Sequence, residues 1–90
     1  MSWEIQYLPE ALDDLRRLDG SQRVQVLKAI KKVSENPLPD TEGGYGKPLG
    51  SRNRTNLSGF LKIKLKGAGL RVVYQLVRHE GQMLLIVVGT

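Results

Sequence analysis

Trp3, Ile5 and Tyr7 are separated by Glu4 and Gln6, an alternation of period two that predicts a short strand ended by Pro9. From Pro9 the period becomes helical. Ala11, Leu12, Leu15 and Leu18 recur at helical spacing; Glu10, Asp13 and Asp14 come early and Arg16 and Arg17 late, which complements the macrodipole, and Gly20 is placed to close the helix. A second helix is expected after Ser21 as its cap. Its apolar stripe is Val26, Leu27, Ile30 and Val33, with Arg23, Lys28, Lys31 and Lys32 mostly off it, and Asn36-Pro37 ends it. The lysines are read more simply as a solvated face than as an RNA contact. With only about two residues between them, the helices should form an antiparallel hairpin that lays its apolar sides on a sheet.

Residues 37–59 show no sustained period. They carry Pro37, Pro39 and Pro48, five glycines and the cations Lys47, Arg52 and Arg54, so they are expected to form a long, flexible basic loop. The run Gly43-Gly44-Tyr45-Gly46-Lys47 lacks the Lys-Ser/Thr ending and the preceding strand of a phosphate-binding P-loop. The last third is strand-like: Phe60 to Lys66, Leu70 to Val77 and Gln82 to Val88, joined by turns at Gly67-Ala68-Gly69 and Arg78-His79-Glu80-Gly81. The expected fold is α+β. An N-terminal strand and an antiparallel helical hairpin pack on one face of a mainly antiparallel sheet, in the order β-α-α-β-β-β, as one domain over residues 1–90.

Strand parity then locates the charge. Leu61, Ile63 and Leu65 share one face of their strand, so Lys62, Lys64 and Lys66 share the other. Matching apolar faces pairs Leu65 with Leu70, Ile63 with Val72 and Leu61 with Tyr74, which sets Lys64 across from Arg71; a one-residue slip would drive Arg71 into the apolar side. Like charges facing one another are normally destabilising, and no Asp or Glu occurs from residue 43 to residue 79 to offset these. An anion site explains the cluster better than an ordinary basic face does.

Composition narrows the chemistry. At 90 residues the chain has room for one core, and with no cysteine and only His79 it offers neither thiolate sites, nor a multi-histidine metal centre, nor a serine–histidine triad. His79 is expected as an exposed turn residue and Trp3 as packing rather than a base-stacking platform. The net charge of +5 is unevenly spread. Residues 1–44 hold six Lys/Arg against eight Asp/Glu, whereas residues 45–90 hold eight against Glu80 alone, which favours a polyanionic partner such as nucleic acid. There is no secretory leader pattern, and the longest strictly apolar run, Met83 to Val88, cannot span a bilayer; a cytoplasmic protein without membrane contact is expected.

Clustered cations suit cleavage of RNA through the ribose 2′-hydroxyl. Crowding lowers a lysine's pKa toward general-base use, and an arginine fork holds phosphoryl oxygens bidentately. No cofactor or metal is called for.

Lys47-Pro48-Leu49, Leu57-Ser58-Gly59, Leu61-Lys62-Ile63-Lys64-Leu65, Gly69-Leu70-Arg71-Val72-Val73-Tyr74-Gln75 and Val87-Val88-Gly89 closely resemble the RelE/ParE toxin superfamily, in particular its RelE branch. The resemblance covers essentially the whole chain. It implies the toxin of a type II toxin–antitoxin pair, a metal-independent endonuclease that cuts mRNA in the ribosomal A site and is neutralised by a RelB-like antitoxin wrapped around it. It also implies catalytic roles for Lys62 and Lys64 and phosphate stabilisation by Arg71, while Lys47, Arg52, Arg54 and Lys66 are candidate RNA contacts. RelE toxins continue past the Val-Gly of the last strand with an arginine, a base-stacking tyrosine and a short helix. This sequence ends at Gly89-Thr90, which implies a truncated or detoxified form with weakened or absent cleavage. Tyr74 falls on the core face and cannot replace that tyrosine; Tyr45 is a candidate. Two alternatives stay open: a ParE-like inhibitor of DNA gyrase, and a non-catalytic module that binds its antitoxin and, through that complex, operator DNA.

Overall fold

The structure, a computed structural model, describes residues 3–48 and 60–89. Strand β1 (Glu4–Tyr7) leads into helices α1 (Pro9–Arg17) and α2 (Gly20–Val33). A 3₁₀ turn at Asp40–Glu42 precedes the short strand β2 (Lys47–Pro48), and β3 (Phe60–Leu65), β4 (Leu70–Val77) and β5 (Gln82–Gly89) complete the chain. The strands form one sheet in the order β1-β5-β4-β3-β2; β1 runs parallel to β5 and every other pair is antiparallel. This is the α+β architecture expected, with one short strand more than the periodicity revealed.

The core lies between the helical hairpin and one face of the sheet. Ala11 and Leu15 of α1 and Val26, Ile30 and Val33 of α2 are buried against Leu61 and Ile63 of β3, Leu70, Val72 and Tyr74 of β4, and Met83, Leu85 and Val88 of β5. The alternation within β3 and β4 thus sorts as expected, apolar toward the helices. In β5 the alternation breaks: Tyr74 pairs with Leu85 but Val73 with Val87, so Ile86 is an extra, bulged residue that lets both Leu85 and Val88 turn inward. Leu12 and Leu27, expected in the helical stripes, are instead 41% exposed on the flanks of the hairpin.

The helix ends differ from the expected ones. Asp19, not Ser21, caps α2: its carboxylate accepts the Gln22 N–H at 2.8 Å while the Gln22 side chain accepts the Asp19 N–H, a reciprocal capping box. Gly20 is therefore the first residue of α2 rather than the terminator of α1, which ends with Leu18 in an extended conformation. Arg23 ties the two helices together. Its guanidinium donates to the carbonyls of Leu15 (3.0 Å), Leu18 (2.7 Å) and Arg16 (3.2 Å), satisfying the end of α1 from the first turn of α2.

The segment after α2 is built rather than loose. The Tyr74 hydroxyl, inside the core, donates to the Pro37 carbonyl at 2.8 Å, and burial pushes that phenol's pKa upward, so it stays a donor. Asp40 N–H donates to Gly46 O (2.7 Å), Gly46 N–H to Leu38 O (3.0 Å) and Tyr45 N–H to Asn36 O (2.9 Å). Gly46 lies against the Tyr74 hydroxyl and Leu61, and Gly44 against the Leu38 carbonyl, so closely that neither position has room for a Cβ. The expectation of a flexible loop is thus corrected for residues 37–48; residues 49–59 lie outside the described residues. Among the described residues, no helix is long and apolar enough to cross a membrane.

Candidate active site

The outward face of β3 and β4 carries the cations. The register is Leu65 with Leu70, Lys64 with Arg71, Ile63 with Val72, Lys62 with Val73 and Leu61 with Tyr74, so Lys64 and Arg71 stand directly opposite. The short strand β2 adds what periodicity could not show: Lys47 pairs with Lys62 on the other side of β3. Side chains facing one another in such pairs have Cβ atoms about 5 Å apart, within reach of one phosphodiester group. Lys66 follows in the β3–β4 turn, where Gly69, at a φ of 67°, returns the chain.

Lys47, Lys64, Lys66 and Arg71 are exposed and Lys62 is half-buried, and none of the five forms an ion pair with a described residue. Their fields converge on Lys64. Its pKa is held below the ordinary lysine value first by Lys62, then by partial desolvation, and then by Arg71, Lys47 and Lys66. Lys64, Lys66 and Arg71 also line a shallow depression of about 240 Å³ at the turn end of the sheet. Arg52 and Arg54 lie outside the described residues.

A larger cleft of about 590 Å³ opens at the other end of the same strands, lined by Phe60, Gln75, Arg78, His79, Glu42 and Pro48 among others. Size does not make it the anion site. Its Arg78 is neutralised by Glu42 through two hydrogen bonds of 2.8 and 3.0 Å, and the same contact lowers the pKa of the Glu42 carboxyl. His79 sits exposed in the turn beside Glu80, 3.6 Å away, as expected of a turn residue. Trp3 is partly buried against the core, as expected of a packing residue, and its backbone N–H donates to Ser34 O.

Tyr45 is the side chain whose setting sequence reasoning understated. It is 52% exposed, the only exposed aromatic among the described residues, and the Lys32 ammonium sits 5.8 Å from its ring centroid. The signal was the placement of an aromatic between two glycines and just before a lysine.

No protein-family model matches the chain. A RelE-like toxin protein of Escherichia coli is 26% identical over 89 residues, spanning 99% of this chain and 83% of that protein. The mRNA interferase toxin RelE of E. coli K12 is 28% identical over the same shares. Among solved structures, the isolated E. coli RelE toxin superposes with a TM-score of 0.79 at 27% identity, over 99% of this chain and 84% of that one. The toxin of the intact E. coli RelBE toxin–antitoxin complex gives 0.77 at 25%, over 99% and 96%. With similarity running along nearly its full length and the same order of strands and helices, this chain is homologous to the RelE-like toxins of E. coli and shares the RelE fold.

Proposed function

We propose that the chain is the toxin of a type II toxin–antitoxin pair, a cytoplasmic endonuclease that cuts mRNA in the ribosomal A site and is silenced by a RelB-like antitoxin. Two similar proteins support the class: the K12 relative is named an mRNA interferase, and the RelBE toxin is held by an antitoxin. The observation that carries the reading is the facing of Lys64 and Arg71 across β3 and β4, with Lys62 and Lys47 in the adjoining row.

The chemistry follows from the row. Neutral Lys64, favoured by its cationic neighbours, accepts the proton of the ribose 2′-hydroxyl. The freed oxygen attacks the adjacent phosphorus, and the Arg71 fork with the Lys62 ammonium stabilises the dianionic phosphorane. Lys62 then protonates the departing 5′-oxygen, leaving a 2′,3′-cyclic phosphate and a 5′-hydroxyl. Lys47 and Lys66 hold the flanking phosphates.

Ribosomes programmed with a defined A-site codon, incubated with the chain and mapped by primer extension, test this. Cuts within the codon are expected; Lys64→Ala should slow them by about 10²- to 10⁴-fold, the usual worth of a general base, and Arg71→Ala by about 10²- to 10³-fold. Inhibition of gyrase supercoiling without A-site cuts, or full-rate cutting by Lys64→Ala, would overturn the assignment.

A further inference from the structure

Strand β2 is two residues long and contains a proline, yet it is what brings Lys47 beside Lys62. Edge pairing over so short a stretch offers few hydrogen bonds against the entropy of releasing the segment. The position of Lys47 is therefore set by what holds residues 37–46.

Three attachments hold them. The Tyr74 hydroxyl donates to the Pro37 carbonyl at the start of the segment, and Gly46, next to Lys47, lies against Tyr74 and Leu61. Between these, the 3₁₀ turn Asp40–Glu42 reaches the larger cleft, where both carboxylate oxygens of Glu42 accept from Arg78 at 2.8 and 3.0 Å. Asp40 N–H donates to Gly46 O, and the Glu42 and Gly44 N–H groups both donate to Pro39 O, so the turn and the residue before Lys47 form one hydrogen-bonded unit.

The Glu42–Arg78 pair differs from the surface pairs of α1. Arg16–Asp13 and Arg17–Asp14 are three residues apart and meet through single contacts of 3.5 and 3.8 Å. Glu42 and Arg78 are 36 residues apart and joined by a two-pronged fork, the geometry in which an exposed pair has a directional effect. Arg78 follows directly on β4, so the strand that sets Arg71 in the cation row also holds, through Tyr74 and Arg78, the segment that delivers Lys47. Pro48, adjoining Lys47, lines the same cleft as the pair.

We propose that Glu42 and Arg78 are positioning residues: by clamping the 37–46 segment to the turn between β4 and β5, they keep Lys47 in the cation row beside Lys62. Only the effect on cutting rests on the endonuclease reading above, because the placement of Lys47 can be measured without RNA.

Glu42→Gln and Arg78→Gln each remove one charge, of opposite sign. An effect of total charge would drive the two variants in opposite directions, whereas a lost clamp drives them in the same one. Lys64 reports the presence of Lys47, since it is faced by Lys62 and Lys66 from its own strand and turn, Arg71 from β4 and Lys47 from β2. In both variants its NMR titration should move toward 10.5, and cross-strand NOEs between Lys47 and Lys62 should weaken, while thermal melts show the chain folded. On programmed ribosomes kcat/KM should fall about 1.5- to 5-fold, the range that an exposed ion pair can transmit. In a Lys47→Gln background either substitution should change the Lys64 titration no further. The double variant Glu42→Arg with Arg78→Glu reverses the pair at unchanged net charge and should bring the readouts back toward the parent.

Opposite shifts in the two single variants, or a Lys64 titration and Lys47–Lys62 NOEs both unmoved, would overturn the clamp even if the parent chain cuts mRNA. If the parent leaves ribosome-bound mRNA intact while the titration and NOEs respond as stated, the clamp stands and the endonuclease reading falls.

Discussion

Lys64 shows how one residue carries opposed demands. Like charges around it favour its neutral form, so a reaction that needs neutral Lys64 accelerates as pH rises, with its midpoint below the ordinary lysine value of 10.5. Lys62→Gln removes the largest cause and should move the Lys64 titration back toward 10.5. Added salt should act the same way, because the side chain is exposed and the screening length at physiological ionic strength is about 8 Å. NMR titration of the Lys64 side chain checks both, and a curve unmoved by Lys62→Gln would show that the two charges do not interact. The same repulsion acts on folding. Lys64 binds its proton less tightly folded than unfolded, so the cost is fully present below its folded pKa and is relieved as pH rises from there to the unfolded value. Lys64→Ala should therefore raise the melting temperature at low salt while it slows cutting.

The elements were legible where a period had room to repeat. Alternation over Phe60–Leu65 and Leu70–Val77 allows one register that keeps Arg71 out of the core, and that register is the observed one, so the Lys64–Arg71 facing is legible in the sequence. Strand β2 could not be read: two residues define no period, and Pro48 is tolerated because β2 is the sheet edge. Lys47 was therefore recognisable as a cation but not as the partner of Lys62. At the junction of the helices the signal was present but divided. Asp19 and Ser21 are both capping residues, and Gln22, three positions after Asp19, decides between them through the capping box. The placement makes a prediction of opposite signs at adjacent positions. Asp19→Ala leaves the Gln22 N–H without its acceptor and should cost about 1 kcal/mol. Gly20→Ala, inside the first turn with nothing within 4 Å of the new methyl, should stabilise by about 0.5 to 1 kcal/mol. Urea unfolding reads both, and a destabilised Gly20→Ala would contradict the assigned start of α2.

Across the whole molecule, apolar burial and charge are placed on opposite sides of one sheet. The helical hairpin covers the inner face, and hydrogen bonds link distant parts of the chain around it: Tyr74 to Pro37, the Asp14 carboxylate to the Val88 N–H at 3.0 Å, and Arg78 to Glu42. With the fold closed from behind, the outer face is free to gather cations that contribute nothing to cohesion. This separation predicts contrary responses to salt. Screening the row should stabilise the folded chain, since its like charges repel, yet weaken binding to the ribosome, because each lysine on a phosphate releases counterions. On single-stranded RNA, removing one such contact should reduce the slope of log affinity against log salt by about 0.7. Lys47→Gln and Lys66→Gln should each show that change, whereas Lys28→Gln and Lys31→Gln, exposed on α2 away from the row, should leave the slope near that of the parent. Binding measured on ribosomes over a series of potassium concentrations, beside thermal melts in the same buffers, tests both signs together. If the α2 substitutions lowered the slope as much as those in the row, affinity would depend on total charge, and the grouping of cations by strand parity would have no part in selecting the phosphate backbone.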